Sequence, residues 1–132
     1  MKRRQFVQST GALATLGSAA LMGGCATSGG TSAGPKVVVI GGGYGGATAA
    51  KYLRLWSEGA VQVTLVEPNA AFVSCPISNL VLGGSKTMAD ITTPYDTLAK
   101  RHGVKVVRDT AAGIDVEKRI VKLGSGGELP YD

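Results

Sequence analysis

The 132-residue sequence has few of the residues that bind metals or form disulfides. It contains two cysteines, Cys25 and Cys75, and a single histidine, His102. Neither cysteine has a second one at the spacing of a zinc site. A disulfide between the two would tie the body of the protein to its N-terminal stretch. We therefore predict no metal site and no internal disulfide.

The sequence also has little basic excess once its first residues are set aside. The formal net charge is +5, with 14 Lys and Arg against nine Asp and Glu. Three of the basic residues and none of the acidic ones precede Pro35, so the excess from Pro35 onward is +2. The remaining basic residues form no run mixed with aromatics. We predict no nucleic-acid partner.

The apolar stretch near the N-terminus, residues 11–24, is short. A membrane-spanning helix needs roughly 20 apolar residues. The stretch follows Arg3, Arg4 and Phe6, which is typical of a twin-arginine export signal. Lys2 stands where Ser or Thr is usual, and Gln8 where Lys is usual. We expect export to the periplasm through the twin-arginine machinery.

Two outcomes for Cys25 stay open. Small residues before it resemble a lipoprotein cleavage site, with Met22 where Leu is usual, and lipidation there would anchor the protein to a membrane. Cleavage after Ala33 would instead remove Cys25. Residues 26–34 are small and polar, which predicts a flexible tether. We assign residues 1–34 to the export signal and tether.

From Pro35 the sequence changes character. An apolar strand, residues 35–40, runs into a G-x-G-x-x-G turn at Gly41, Gly43 and Gly46. In such turns the first glycine permits the tight turn, the second lets the backbone approach a pyrophosphate, and the third allows close packing of helix on strand. The following helix places its partly positive N-terminus at the phosphates.

A second apolar strand, residues 61–66, ends on Glu67, which is 21 residues after Gly46. An acid about 20 residues after the turn binds ribose hydroxyls and disfavours a 2′-phosphate, which argues against NADP. The alternative is a glycine-rich loop without a ligand, since the chain has 20 glycines. We favour a dinucleotide site for a cofactor such as FAD or NAD, because the first strand, the helix, the second strand and the acid follow one another at the expected spacing.

The remaining pattern predicts the rest of one small domain. Tyr52, Leu53 and Trp56 are available for the sheet side of the first helix. Thr93 is the expected N-cap of a later helix that has Pro94 at its first position. The predicted elements are a helix over 44–56, a helix over 94–101 ended by Gly103, a strand over 104–108, and a hairpin of 112–116 with 119–123 around Glu117 and Lys118.

The last residues, 126–132, read as a turn leading into a strand. We therefore expect residues 35–132 to be the N-terminal, incomplete part of a domain in a longer protein. Cys75 lies in the loop after the Glu67 strand, where it can reach a cofactor at the carboxyl edge of the sheet. The alternative is a buried thiol that acts as a small hydrophobe.

Four segments together resemble the flavoprotein subunit of flavocytochrome c sulfide dehydrogenases. They are residues 37–53, 63–69, 74–84 and 113–132. The first motif is shared by the whole group of flavoproteins with two dinucleotide domains. The Cys-x-x-Ser-Asn-x-x-x-Gly-Gly loop that begins at Cys75 is much more specific.

The resemblance implies the fold and the chemistry of the parent protein. The expected class is α/β, a truncated Rossmann-like FAD-binding βαβ half with a small antiparallel hairpin. Cys75 would carry the flavin through a thioether to its 8α-methyl carbon. Electrons would pass from sulfide through a redox disulfide, absent from this chain, and FAD to a c-type cytochrome subunit. The predicted cofactor-binding residues are Gly41, Gly42, Gly43, Gly46, Glu67 and Cys75, and no catalytic residue is predicted here.

Two other functions stay open. A sulfide:quinone reductase-like flavoprotein would deliver the electrons to a membrane quinone. A non-catalytic exported nucleotide-binding module would bind the cofactor without a reaction.

Overall fold

The structure, a computed structural model, describes residues 34–132. The predictions made for Arg3, Arg4 and Cys25 lie outside this range. No helix within the described range is long and apolar enough to cross a membrane.

A three-stranded parallel sheet forms the centre of the described chain. Its strands are β1 (Lys36–Ile40), β2 (Gln62–Val66) and β5 (Lys105–Val107), and helix α1 (Tyr44–Trp56) connects β1 to β2. Strand β2 lies in the middle and pairs with β1 on one side and β5 on the other.

The register of the first two strands brings the predicted site together. Ile40 lies opposite Val66, the last residue of β2. Gly41 and Glu67 follow these residues, so both lie at the same carboxyl edge of the sheet. Parallel strands place their ligand-binding loops at this edge.

Helix α1 spans the residues predicted for it, but of the three side chains predicted for the sheet side only Leu53 packs against the core. Ala50 is fully buried against the core residues Val63 and Leu65, and Leu53 packs partly buried beside them. Trp56 is 78% exposed and lies against the Tyr52 ring. At 3.6 residues per turn, Trp56 is about 120° around the helix from Ala50, so it faces away from the sheet.

The later helix, α3 (Asp96–His102), begins two residues after the predicted start, and Tyr95 rather than Thr93 is its N-cap. Thr93 and Pro94 lie instead in strand β4 (Thr92–Pro94). This strand pairs with β3 (Ala71–Val73) in a two-stranded ribbon, where a proline at the edge is tolerated. The predicted end is confirmed, because Gly103 has φ +63°.

The segment after Glu67 is more ordered than the loop predicted for it. Between β3 and β4 lie a short helix, α2 (Ser78–Leu82), and a 3₁₀ turn (Ala89–Ile91). Cys75 lies between β3 and α2.

The predicted hairpin is confirmed, although its connection is longer than two residues. Strands β6 (Ala111–Asp115) and β7 (Ile120–Leu123) pair around residues 116–119. Within this connection Asp115 Oδ1 accepts a hydrogen bond from the Lys118 N–H at 3.0 Å. A third strand, β8 (Glu128–Pro130), adds to β7. The α/β class with a βαβ unit and an antiparallel hairpin is therefore confirmed.

Candidate cofactor-binding site

Two of the motif glycines are required by the backbone itself. Gly41 has φ +90°, a conformation that residues with a Cβ rarely adopt, and its N–H donates to the Val66 carbonyl at 2.9 Å. A Cβ on Gly46 would overlap the Gly41 carbonyl oxygen. Gly46 therefore allows α1 to begin against the end of β1, as the motif predicts.

Gly43 keeps space open at the start of α1. It is the N-cap of the helix, with φ −65°, and it provides no side-chain cap. A Cβ placed there would meet no protein atom within 4 Å, and the first turn of α1 carries no acidic residue. The first N–H groups of the helix and their partial positive charge are thus available to an anion.

Glu67 is held against the glycine turn. Its side chain is buried, with 8% of the residue exposed. Oε2 accepts a hydrogen bond from the Gly42 N–H at 2.7 Å. Oε1 accepts from the Asn69 N–H at 2.9 Å and from Asn69 Nδ2 at 2.7 Å. The acid and the turn, separated in sequence, therefore form one site.

The charge of Glu67 follows from these contacts. Burial raises the pKa of the carboxyl, but the hydrogen bonds from Gly42 and Asn69 outweigh burial and hold the pKa below its ordinary value. Glu67 is therefore ionised at neutral pH. A carboxylate has about four acceptor sites, of which three are used, so one remains for a ligand hydroxyl.

Two cavities meet at the glycine turn. A cavity of about 400 Å³ lies beside Glu67 and includes Asn69 in its wall. A larger one, of about 490 Å³, lies between α1 and α3. Gly43 lines both. Only the smaller cavity contains the Glu67 carboxylate.

Tyr95 belongs to the site but was not identified from the sequence. It is 7% exposed, and its hydroxyl donates to the Gly42 carbonyl oxygen at 2.9 Å. Burial, and next the negative charge of Glu67, raise the pKa of the Tyr95 hydroxyl, which stays protonated. Tyr95 and Gly42 are 53 positions apart in the sequence. No local sequence pattern links a helix N-cap to a turn at that separation.

Cys75 is an exposed thiol, which is contrary to the buried-thiol alternative. Its carbonyl accepts from the Ser78 N–H and from Ser78 Oγ, at 3.0 and 2.7 Å. The preceding Ser74 forms a hydrogen bond with the Tyr44 hydroxyl, and Tyr44 packs edge-on against Phe72 at 4.6 Å. The Cys75 loop is thereby tied to the first residue of α1, next to the glycine turn.

Residues 34–132 contain no group of three or more His, Cys, Asp and Glu side chains that could hold a metal ion.

The parallel βαβ unit, the glycine turn and the acid at the end of β2 define a dinucleotide-binding type of fold. The model of the pyridine nucleotide-disulphide oxidoreductase family matches residues 35–132. The chain belongs to this family.

Within the family, sulfide-oxidising flavoproteins are among the relatives. The chain is 61% identical over 46 residues to the sulfide dehydrogenase [flavocytochrome c] flavoprotein chain of Chlorobaculum thiosulfatiphilum, a match that covers 35% of this chain and 94% of that sequence. The predicted resemblance is confirmed. The chain is also 30% identical over 96 residues to the sulfide-quinone reductase of Aquifex aeolicus, covering 73% of this chain and 22% of the relative.

A solved structure agrees with these matches. The X-ray structure of the sulfide:quinone oxidoreductase from Aquifex aeolicus superposes with a TM-score of 0.65 at 30% identity, over 74% of this chain and 23% of that one. The chain thus spans less than a quarter of the length of the Aquifex relatives.

Proposed function

We propose that the chain is the FAD-binding part of a periplasmic sulfide dehydrogenase that passes electrons from sulfide to a c-type cytochrome. The observation that carries the proposal is the 2.7 Å hydrogen bond between the Gly42 N–H and Glu67, because it joins a phosphate-binding turn to a ribose-binding acid. The choice of sulfide as substrate rests on the 61% match to a sulfide dehydrogenase flavoprotein chain.

The described residues fit FAD at three points. Gly43 leaves space at the α1 N-terminus for the pyrophosphate. The free acceptor site of Glu67 takes a ribose hydroxyl, and its negative charge disfavours a 2′-phosphate. The exposed Cys75, tied to the start of α1 through Ser74 and Tyr44, is the attachment point that the resemblance implies.

Bound FAD would supply the redox chemistry, taking two electrons from sulfur and releasing them one at a time. The chain's own contribution is to bind and orient: the turn holds the phosphates, and Glu67 holds the ribose. The only other cysteine is Cys25, in the predicted export segment. The redox disulfide that the resemblance implies therefore lies outside residues 35–132, and we assign no catalytic residue within them.

The alternative is a sulfide:quinone reductase-like function. It is supported by the 30% identity to the Aquifex aeolicus sulfide-quinone reductase and by the superposition on the related structure. The two functions share sulfide as electron donor and differ in the acceptor.

Anaerobic titration of the full-length protein tests the proposal. We expect sulfide, and not NADH, to bleach the visible absorbance of bound flavin. Oxidised cytochrome c should restore the absorbance faster than a short-chain quinone. Faster recovery with the quinone would favour the alternative function. Bleaching by NADH alone would reject sulfide oxidation, and bound flavin that neither donor reduces would favour the non-catalytic module.

A further inference from the structure

Tyr95 is placed where two distant parts of the chain meet. It follows β4 and caps α3, yet its hydroxyl donates to the Gly42 carbonyl oxygen at 2.9 Å. Its ring belongs to the buried core together with Leu65 and Val104. The ring therefore has fixed neighbours, and the hydroxyl has a fixed direction.

Gly42 is consequently held from both sides. Glu67 accepts a hydrogen bond from its N–H, and Tyr95 donates one to its carbonyl oxygen. Gly42 also has to be glycine, because a Cβ there would lie 2.5 Å from Tyr95 Cζ and 2.7 Å from Cε1. Gly42 occupies the first variable position of the motif, and contact with Tyr95 rather than with a ligand requires a glycine there.

The planarity of the peptide carries this constraint to the next residue. The Gly42 carbonyl and the Gly43 N–H belong to one trans peptide unit and point in opposite directions. Fixing the carbonyl on Tyr95 therefore fixes the direction of the Gly43 N–H. In the same way, Glu67 fixes the peptide between Gly41 and Gly42. The turn is oriented before any ligand arrives, which lowers the cost of binding.

We propose that Tyr95 is a positioning residue, one that orients the Gly43 N–H toward the cofactor pyrophosphate. This role rests on the proposed FAD-binding function. A purely structural Tyr95 would support the core through its ring alone, so the hydroxyl separates the two roles.

The test compares Tyr95→Phe with Tyr52→Phe in the full-length protein. Tyr52 loses the same atom but lies about 12 Å along α1 from the first helical residue, Tyr44, with its ring tilted against Trp56. Both changes are made in a Cys75→Ala background, so that FAD exchanges reversibly, and the dissociation constant for FAD is measured on the flavin-free proteins. We expect affinity to fall about five- to tenfold for Tyr95→Phe, the effect of one hydrogen bond, and to stay unchanged for Tyr52→Phe.

A second readout reports on the phosphate end alone. The ³¹P resonances of bound FAD should shift in Tyr95→Phe and not in Tyr52→Phe. Unchanged affinity and unchanged ³¹P shifts in Tyr95→Phe would overturn the role of Tyr95 and leave the proposed function standing. Absence of FAD binding in the Cys75→Ala parent and in the unmodified protein would reject the proposed function, and the role of Tyr95 with it.

Gly42→Ala approaches the same contact from the other side. Its Cβ would push the Tyr95 ring away and weaken FAD binding. Adding Tyr95→Ala removes the clash, so the double variant should lose less affinity than the two single variants lose together. Additive losses in the double variant would contradict the coupling.

Discussion

At the scale of single residues, the glycines of the turn have separate roles. Gly41 supplies the positive φ and Gly46 the close packing, whereas Gly43 leaves space that no protein atom occupies. The motif predicts these three roles from spacing alone, because they depend on the local backbone. Gly42 differs, because it must be glycine to leave room for the Tyr95 ring. Tyr95 is distant in the sequence and comes close to Gly42 only when the chain folds.

Glu67→Gln should destabilise the protein at neutral pH by about 1–3 kcal/mol, since an amide cannot accept all three hydrogen bonds that the carboxylate accepts. The folded pKa of Glu67 lies below its ordinary value. Its stabilising contribution is therefore present above the pKa of the unfolded chain, about 4.3, and is lost as pH falls through the folded pKa. Urea unfolding of the flavin-free protein at several pH values measures this.

The exposed Glu117, changed to Gln, is the control and should have little effect at any pH. The difference between the unmodified protein and Glu67→Gln should shrink below about pH 4. A difference that stays constant down to pH 3 would contradict the charge assignment.

Cys75 gives the second prediction at this scale. The full-length protein should keep its yellow colour after acid precipitation, because a thioether survives unfolding. Cys75→Ser should retain some flavin but release it into the acid supernatant, because the turn and Glu67 still hold the other end. Mass spectrometry of the tryptic peptide that contains Cys75 measures the linkage. An unmodified peptide at full stoichiometry would show that the flavin is not attached there.

At the scale of elements, one side chain joins the ends of three of them. Arg54, in the last turn of α1, donates from Nε to the His102 carbonyl at the end of α3 at 2.9 Å. Its Nη1 donates to the carbonyls of Gly59 and Val61, each at 2.6 Å, just before β2. The guanidinium therefore fixes how both helices meet the sheet that carries the turn and Glu67.

Arg54→Lys should lower the free energy of unfolding by about 1.5–3 kcal/mol, the range for hydrogen bonds to charged groups, because one ammonium does not reproduce this fork. Arg101→Lys, an exposed arginine on α3, is the matched control and should change it by less than about 0.5 kcal/mol. Chemical denaturation of the flavin-free protein compares them. Equal effects of the two changes would contradict the role of Arg54.

Elements with strong local signals were the ones that the sequence predicted. Helix α1 begins where the glycine turn ends and stops before the left-handed Glu58 and Gly59, so its bounds are local. The predicted start of α3 was wrong, because a proline such as Pro94 is favourable both at the first position of a helix and in an edge strand. Pairing with Ala71 decides between them, and that pairing depends on tertiary structure.

At the scale of the whole molecule, the predicted export signal lies in residues that the structure does not describe. Arg3→Lys combined with Arg4→Lys keeps the charge but removes the arginine pair, and should leave the precursor in the cytoplasm. Cell fractionation followed by immunoblotting measures the distribution. Normal periplasmic accumulation of the double variant would reject the twin-arginine assignment.

The central claim is that the glycine turn and Glu67 hold FAD, and a pair of glycine variants tests it most directly. A Cβ at Gly43 or at Gly45 meets no protein atom within 4 Å, so neither Gly43→Val nor Gly45→Ala places its Cβ against the rest of the protein. Gly43 lines both cavities at the turn, whereas Gly45 lines neither.

The measurement is the flavin content of the purified full-length proteins, in a Cys75→Ala background so that attachment cannot mask the loss of affinity. Gly45→Ala should carry as much FAD per chain as the Cys75→Ala parent. Gly43→Val should retain about a tenth or less, because its side chain occupies the place of the pyrophosphate. A full complement of FAD in Gly43→Val, or equal losses in both variants, would contradict the account.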